Sequence, residues 1–365
     1  MRRPLLVTAD ETLLEELLRL AAAAGTTPDV AADPAGVLRA WATAPCVLVG
    51  DDVAARAVRC APERRDGVRV VGWQADADTF RAALALGAEE VCELPRAESH
   101  LVALLLDLDD LGRAPGAVLG VVGGSGGAGA TTLACALGQV AASCGAALVV
   151  DCDPQGPGAD RVLGLEQEPG VRWDALVRGG GRLGASSLRE AVPSRGGLGV
   201  LTWPHEALDG PARPAASPHA VGEAFGDACR EAVAAGRRGH DLVVLDLPRA
   251  GDDLVADLAG RCDLVLVVVV PDVAAVASTQ RTCRRLGETE ALRLVVRGSG
   301  LDPAEVARVT GVPVAARLPD QRGLSEAVDL GLGPVRSHRG PLARTARALL
   351  ALPEVGLVPA RGRAA

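Results

Sequence analysis

The first 110 residues alternate short apolar runs with stretches in which apolar residues recur at helical spacing. The runs cover residues 4–8, 46–50, 68–72 and 90–94, and helical spacing marks 13–24, 79–86 and 99–108. Strands that alternate with helices predict a parallel sheet covered on both faces. A short Gly/Pro segment, 112–116, reads as a linker. From Ala117 a longer alternation begins, with strands predicted at 117–122, 146–150, 198–202, 241–245, 263–270, 292–296 and 312–316. Several are unbroken Val/Leu runs, the pattern of strands buried on both faces. Residues 179–181 and 204–218 read as loops. The expected architecture is α/β throughout: a doubly wound domain over 1–111, the linker, a larger and mostly parallel domain over 117–352, and a mobile tail over 353–365.

Composition narrows the class. A length of 365 residues suits about two domains. Hydrophobic residues make up 48% and charged residues 23%, a globular balance, and only 2% are aromatic, so the cores fall to Val, Leu and Ala. The longest apolar run, 264–270, is far short of the ~20 residues a membrane span needs. The N-terminus, MRRPLLVTADE, turns acidic too early for a signal peptide, so a cytoplasmic protein is expected. The nine cysteines form no C-x-x-C pair, which predicts buried, reduced thiols rather than a zinc or disulfide framework. A net charge of −8 argues against a general nucleic-acid coat. The chain has no lysine: all 38 basic residues are arginine.

The most informative stretch is 118–133, VLGVVGGSGGAGATTL. An apolar strand runs into glycines at 123, 124, 126, 127 and 129, and Thr131-Thr132 then opens a helical pattern over 133–142. Glycines let backbone N–H groups turn inward and the helix N-terminus adds its dipole, which together make an anion cradle. The phosphate-loop spacing G-x-x-x-x-G-K-[ST] is met at Gly124, Gly129 and Thr131, with Ala130 where lysine belongs. Two carboxylates at strand ends follow in order: Asp153 in 148–156, LVVDCDPQG, and Asp246 in 240–248, HDLVVLDLP. Such a pair beside a phosphate loop is what Mg²⁺ requires.

Residues 125–132 resemble the deviant Walker loop of the MinD/ParA family, K-G-G-x-G-K-T-T. The segment D-x-D-P-Q-G resembles that family's switch, 240–248 its Walker B strand, 261–271 its next strand, and 319–331 its late segment near the nucleotide base. The resemblance covers roughly 117–350 and implies a P-loop fold that binds ATP and Mg²⁺. It implies that Gly124, Ser125, Gly126, Gly127, Ala128, Gly129, Ala130, Thr131 and Thr132 cradle the nucleotide. Thr131, Asp153 and Asp246 would serve Mg²⁺, with Asp153 positioning the attacking water. Ser125 stands at the family's signature lysine, which reaches the partner subunit's nucleotide, and Ala130 at the general one. The family's asparagine after the strand preceding the late segment is absent; the chain reads Val295-Val-Arg-Gly298.

The missing lysines matter energetically. A charge-assisted phosphate contact is worth up to ~3 kcal/mol. Losing one such stabiliser in the transition state commonly costs on the order of 10²–10³ in rate. Drift from lysine to arginine does not explain alanine and serine. Weak ATP binding with impaired or absent hydrolysis is therefore expected, and Arg249, just beyond the Walker B strand, is a candidate for compensation.

The first 110 residues resemble a response-regulator receiver of the CheY type, with Asp10 and Glu11 at the Mg²⁺-ligand positions and Asp51 at the phosphoacceptor. Gly72-Trp73 stands near the switch hydroxyl and Leu94 replaces the lysine, which implies a pseudo-receiver used in docking. A degenerate receiver fused to a MinD-like domain is similar to the CpaE-like proteins. The lysine-free loop resembles the actinobacterial septum-site-determining (Ssd) branch, whose members lie beside Flp-pilus or secretion genes. The resemblance implies a spatial regulator of septum placement or of pilus and secretion assembly, acting as a homodimer on protein partners of those machineries, with peripheral contact at the membrane, septum or pole. An active DNA-partitioning ATPase is the alternative. Its support is 336–365, with six arginines against one glutamate, a stretch that reads more readily as a solvated final helix and tail. A second alternative is a phosphorelay output controlled through Asp51. The leucines of 342–352 suit a core-docked last helix better than a membrane anchor.

Overall fold

The computed structural model describes residues 3–31, 40–60, 62–108, 114–179, 183–204, 218–249, 253–287 and 290–357. Most of the expected loop 204–218 lies outside these residues, as do residues 112 and 113 of the expected linker. The chain divides into two compact units, Met1–Arg113 with Arg182–Ser187, and Ala114–Gly181 with Leu188–Ala365.

The first unit carries strands β1 (Leu5–Val7), β2 (Asp29–Val30), β3 (Val47–Gly50), β4 (Val68–Gly72) and β5 (Glu90–Glu93), in the order β2-β1-β3-β4-β5. All pair in parallel. The described helices between and after them are α1 (Glu11–Ala23), α2 (Asp51–Arg59), α3 (Ala77–Leu86) and α4 (Glu98–Leu106). Alternate strand residues serve opposite faces. Leu5, Val7, Val47, Val49, Val68 and Val70 pack with Trp41 and Leu86, whereas Leu6, Leu48 and Val71 pack with Leu13, Leu17, Leu101 and Leu105. This is a CheY-like doubly wound domain.

The second unit is built on an eight-stranded sheet: β6 (Ala117–Gly123), β7 (Ala147–Asp151), β8 (Ser194–Arg195), β9 (Leu198–Leu201), β10 (Leu242–Leu247), β11 (Leu264–Val269), β12 (Leu292–Arg297) and β13 (Val314–Leu318). The order is β13-β12-β11-β6-β10-β7-β9-β8, parallel except for the terminal β8–β9 pair. The described helices are α5 (Ala130–Ala142), α6 (Ala159–Leu163), α7 (Trp173–Gly179), α8 (Ala185–Ala191), α9 (Pro218–Gly239), α10 (Asp253–Gly260), α11 (Val273–Leu286), α12 (Pro303–Thr310), α13 (Leu324–Asp329) and α14 (Pro341–Leu350). Every residue of β7, β10 and β11 is buried, as their unbroken apolar runs require. Gly138 brings α5 against the sheet, since a Cβ there would lie 2.5 Å from Val149 Cγ2. Helix α14 buries Leu342, Ala346, Leu349 and Leu350 in the core, so its apolar stripe is spent inside the fold.

Two short strands, β2 and β8, escaped the sequence reading, because two exposed residues carry no apolar run. The first residues of the expected tail are ordered by ordinary packing: Val355 and Leu357 lie against the core and Glu354 bridges Arg293 at 2.8 Å. No helix among the described residues is long and apolar enough to cross a membrane. All nine cysteines are free, seven of them buried.

The central sheet should respond strongly to a lost side chain. Leu266 on β11 is fully buried, and Leu266→Ala is expected to cost about 2–5 kcal/mol in urea unfolding. Leu84→Ala, at a side chain 75% exposed, should stay within about 0.5 kcal/mol of the parent. Equal effects at the two sites would contradict the assigned burial.

Candidate functional site

Strand β6 lies between β10 and β11, and the glycine-rich segment leaves its C-terminal end. The Gly124 N–H donates to the Val268 carbonyl at 2.8 Å, which fastens the loop to β11 as it departs. Gly127 (φ +72°) and Gly129 (φ +95°) adopt left-handed backbone that other residues resist. Gly124 is required by contact instead: a Cβ would stand 2.1 Å from Thr279 Oγ1. Gly126 and Gly127 face open space. The first helical bond of α5 runs from the Leu133 N–H to the Gly129 carbonyl at 3.0 Å, leaving the amides of Ala130, Thr131 and Thr132 without helical acceptors. Ser125 is half-buried in the loop, and Ala128 is buried beneath it.

The two carboxylate strands are neighbours, with Asp246 of β10 in register with Asp151 of β7 and with Val121 of β6. Thr131, in the first turn of α5, stands beside Asp246. The Asp246 side chain is 2% exposed and its Oδ2 has no partner. Burial, aided by the nearby charges of Asp151 and Asp153, pushes this carboxyl up to about 7 against the pull of Thr131. Asp153 lies two residues past the end of β7, half-buried, with Oδ1 accepting from the Gln155 N–H at 3.0 Å. Thr131, Asp151 and Asp153 thus lie near Asp246, whose Oδ2 is buried and lacks a partner. A divalent cation would supply the missing partner, and the open loop with its free amides would take the phosphates attached to it. The residues fit a Mg²⁺-nucleotide in their oxygens and amides, and lack only the lysines.

Three features were not read from the sequence. Asp151 is a structural carboxylate: it accepts from the Ala159 N–H (3.0 Å), the Asp153 N–H (3.1 Å) and Thr202 Oγ1 (2.8 Å). Its carbonyl accepts from Trp173 Nε1 at 2.7 Å, and Trp173 packs with Trp203 and Phe225. The third is Arg297, whose guanidinium donates to the loop carbonyls of Ala128 (3.1 Å) and Gly127 (3.4 Å). Arg249 is exposed and lines a separate hollow with Pro248, Asp253 and Leu286.

In the first unit the structure gathers Asp10, Asp51 and Asp52. Asp10 caps α1, accepting from the Thr12 and Leu13 N–H groups, and Glu11 begins the helix on its exposed side. Asp52, unmarked by the sequence reading, accepts from Thr8 Oγ1 at 2.8 Å and from the Ala9 and Asp10 N–H groups. Asp51 sits over Gly72, where a Cβ would meet its Oδ2 at 2.0 Å. Burial, then the charges of Asp52 and Asp10, raises its carboxyl above the usual range. Leu94 is buried and apolar.

The two units therefore define a CheY-like domain followed by a mostly parallel P-loop domain of the MinD/ParA fold. A ParA family ATPase from Chlorobium tepidum TLS aligns with a TM-score of 0.51 at 18% identity, over 66% of this chain and 98% of that one. The septum site-determining protein MinD complexed with Mg-ADP from Pyrococcus horikoshii OT3 aligns with a TM-score of 0.50 at 20% identity, over 64% and 93%. The family model described as "Rv3660c-like, CheY-like N-terminal domain" matches residues 7–116. Over 357 residues the chain is 38% identical to the uncharacterized protein Rv3660c of Mycobacterium tuberculosis strain H37Rv, covering 95% of this chain and 97% of that protein. The chain belongs to the Rv3660c-like family.

Two outcomes follow from the carboxylates. With a folded value of about 7 against an ordinary 3.8, Asp246 takes up a proton on folding, so its contribution to stability is intact below pH 3.8 and lost as pH rises through 7. In thermal denaturation of Mg²⁺-free protein, Asp246→Asn should exceed the parent in stability at pH 8, with the advantage fading toward pH 4. An advantage that grows toward acid contradicts the assignment. Asp51 should be a poor phosphoacceptor, because added phosphate would face Asp10 and Asp52 with Leu94 in place of a counter-charge. Intact-mass measurement after incubation with acetyl phosphate and Mg²⁺ should show little addition; a full phosphate that vanishes in Asp51→Asn overturns this.

Proposed function

We propose that this chain is a MinD-like spatial regulator that binds Mg·ATP weakly and hydrolyses it slowly or not at all. The observation that carries the reading is the buried Asp246 Oδ2, unpartnered beside the Thr131 hydroxyl at the mouth of a glycine loop with free amides. Gly124, Ser125, Gly126, Gly127, Ala128, Gly129, Ala130, Thr131 and Thr132 would hold the phosphates. Thr131, Asp246 and Asp153 would hold Mg²⁺, which neutralises phosphate charge when bound. Binding draws on contacts present in the ground state, whereas turnover needs contacts that strengthen as the bond breaks. Loop amides and oxygens serve the first; the mobile lysines that serve the second are replaced by Ser125 and Ala130.

The degenerate receiver supports a place within the CpaE-like proteins, nearest the septum-site-determining branch. Action would then lie in dimerisation and docking at the septum or at pilus and secretion machinery, from a cytoplasmic protein with at most peripheral membrane contact. The DNA-partitioning alternative rests on the C-terminal arginines, of which Arg336 and Arg339 are exposed, while Arg344 and Arg347 donate to the carbonyls of Arg339 and His338. The domain limits 1–111 and 117–352 remain our working division, the receiver-like part serving as the docking module.

Calorimetric titration of the full chain with ATP and ADP, with and without Mg²⁺, beside a turnover assay, tests the reading. Weak Mg²⁺-dependent binding without turnover is expected, and Ala130→Lys should tighten ATP about tenfold or more. Turnover should appear only when Ser125→Lys is added. Failure of both wild type and Ala130→Lys to bind ATP sinks the nucleotide reading. Wild-type hydrolysis abolished by Asp153→Ala sinks the pseudo-ATPase part alone.

A further inference from the structure

The phosphate loop has lost both lysines, yet a guanidinium touches it from a strand two places away in the sheet. Arg297 is the last residue of β12, which β11 separates from β6. Its Nη1 donates to the carbonyls of Ala128 (3.1 Å) and Gly127 (3.4 Å), and its Nε faces Asp320 Oδ1 at 3.6 Å. The fit is close: a Cβ on Gly129 would lie 2.7 Å from Nη1, though it is the φ of +95° that favours glycine there.

The geometry says what this contact does. In a trans peptide the carbonyl and the N–H point in opposite directions. Drawing the Ala128 carbonyl toward Arg297 turns the Gly129 N–H away from the guanidinium. The Gly127 carbonyl is held likewise, while the Ala128 N–H closes on the Ser125 carbonyl at 3.4 Å. Two charge-assisted bonds thus fix two consecutive peptide planes in a loop of glycines whose intrinsic freedom is large. Its acidic neighbour Asp320 is 74% exposed, so that pair is well screened.

We propose that Arg297 is the positioning cation of the phosphate loop: it braces the loop through two of its carbonyls and supplies the positive field that the missing lysines would have supplied. The proposal rests on the nucleotide-binding reading and names the residue through which this lysine-free site holds a phosphate chain. Arg297 positions the loop amides rather than the reacting atoms.

The experiment pairs two measurements on the full chain. Hydrogen exchange of the peptide spanning residues 123–131 is followed without ligand in wild type, Arg297→Gln and Arg297→Lys. Affinities for Mg·ATP and for inorganic pyrophosphate are measured for the same proteins and again in the Ala130→Lys background, with Arg249→Gln as control. Arg297→Gln is expected to speed loop exchange and to weaken both ligands about tenfold. Arg297→Lys should keep pyrophosphate within about threefold of wild type, because it keeps the charge. Arg249→Gln should change neither. Unaltered loop exchange in Arg297→Gln overturns the brace. Faster exchange with undiminished or tighter ligand binding overturns the charge, and tighter binding would make Arg297 a plug. If neither wild type nor Ala130→Lys binds ATP, the nucleotide reading fails, and loop exchange still decides the brace.

Discussion

The burial of Asp246, near the end of β10 and beside Thr131 in the first turn of α5, ties the glycine loop to the centre of the sheet. It comes at a cost, because it holds a carboxylate in the dry interior with one oxygen unpartnered. The same sheet shows what a satisfied carboxylate looks like one strand over. Asp151, in register with Asp246, is saturated by two backbone amides and Thr202. A fold that can close three donors around one acid has left its neighbour half open. The difference follows from position. Asp151 has β9 and the start of α6 beside it, whereas Asp246 lies between β6 and β7 under the loop, where the open space begins.

The loop and the strands beside it were legible in the sequence because they are written in local signals. Val/Leu runs buried on both faces give β7, β10 and β11 directly, and the glycine run 123–129 marks the loop. What was not legible came from pairings across distance or from single-residue offsets. Arg297 meets Gly127 across 170 residues, through a strand order that puts β12 and β6 on either side of β11. Read linearly, it was simply the residue standing where an asparagine was missing. Arg249 drew the eye because it follows the Walker B strand, but the chain turns it toward α10 and α11. In the first unit the offset is one residue: Asp51 was the marked acid, yet Asp52 makes the bonds to Thr8, Ala9 and Asp10. Both open α2, a helix the periodicity did not reveal.

Aromatic scarcity shapes the rest of the second unit. Of the six aromatic residues in the chain, Trp173, Trp203 and Phe225 form one cluster, with ring centroids 4.8–6.3 Å apart. The cluster is tied to the carbonyl of Asp151 through the Trp173 indole. The large side chains are therefore placed beside the switch segment, while sheet and helices pack through Val, Leu, Ala and Gly. Small residues bring backbones close, as Gly138 does for α5 against β7. The glycine loop is seated as closely, but against a side chain: a Cβ on Gly124 would stand 2.1 Å from Thr279 Oγ1.

Where the positive charge sits decides what this loop can do. A lysine carried by the loop reaches inward on a flexible stem and can move with a phosphate as charge develops. An arginine anchored on two loop carbonyls and facing an aspartate is fixed from outside. It can orient amides and attract an anion, but it cannot advance toward a breaking bond without releasing the peptides it holds. On the nucleotide-binding reading, an arginine on the loop carbonyls in place of two loop lysines would separate support of the ground-state cradle from the charge that follows the transition state.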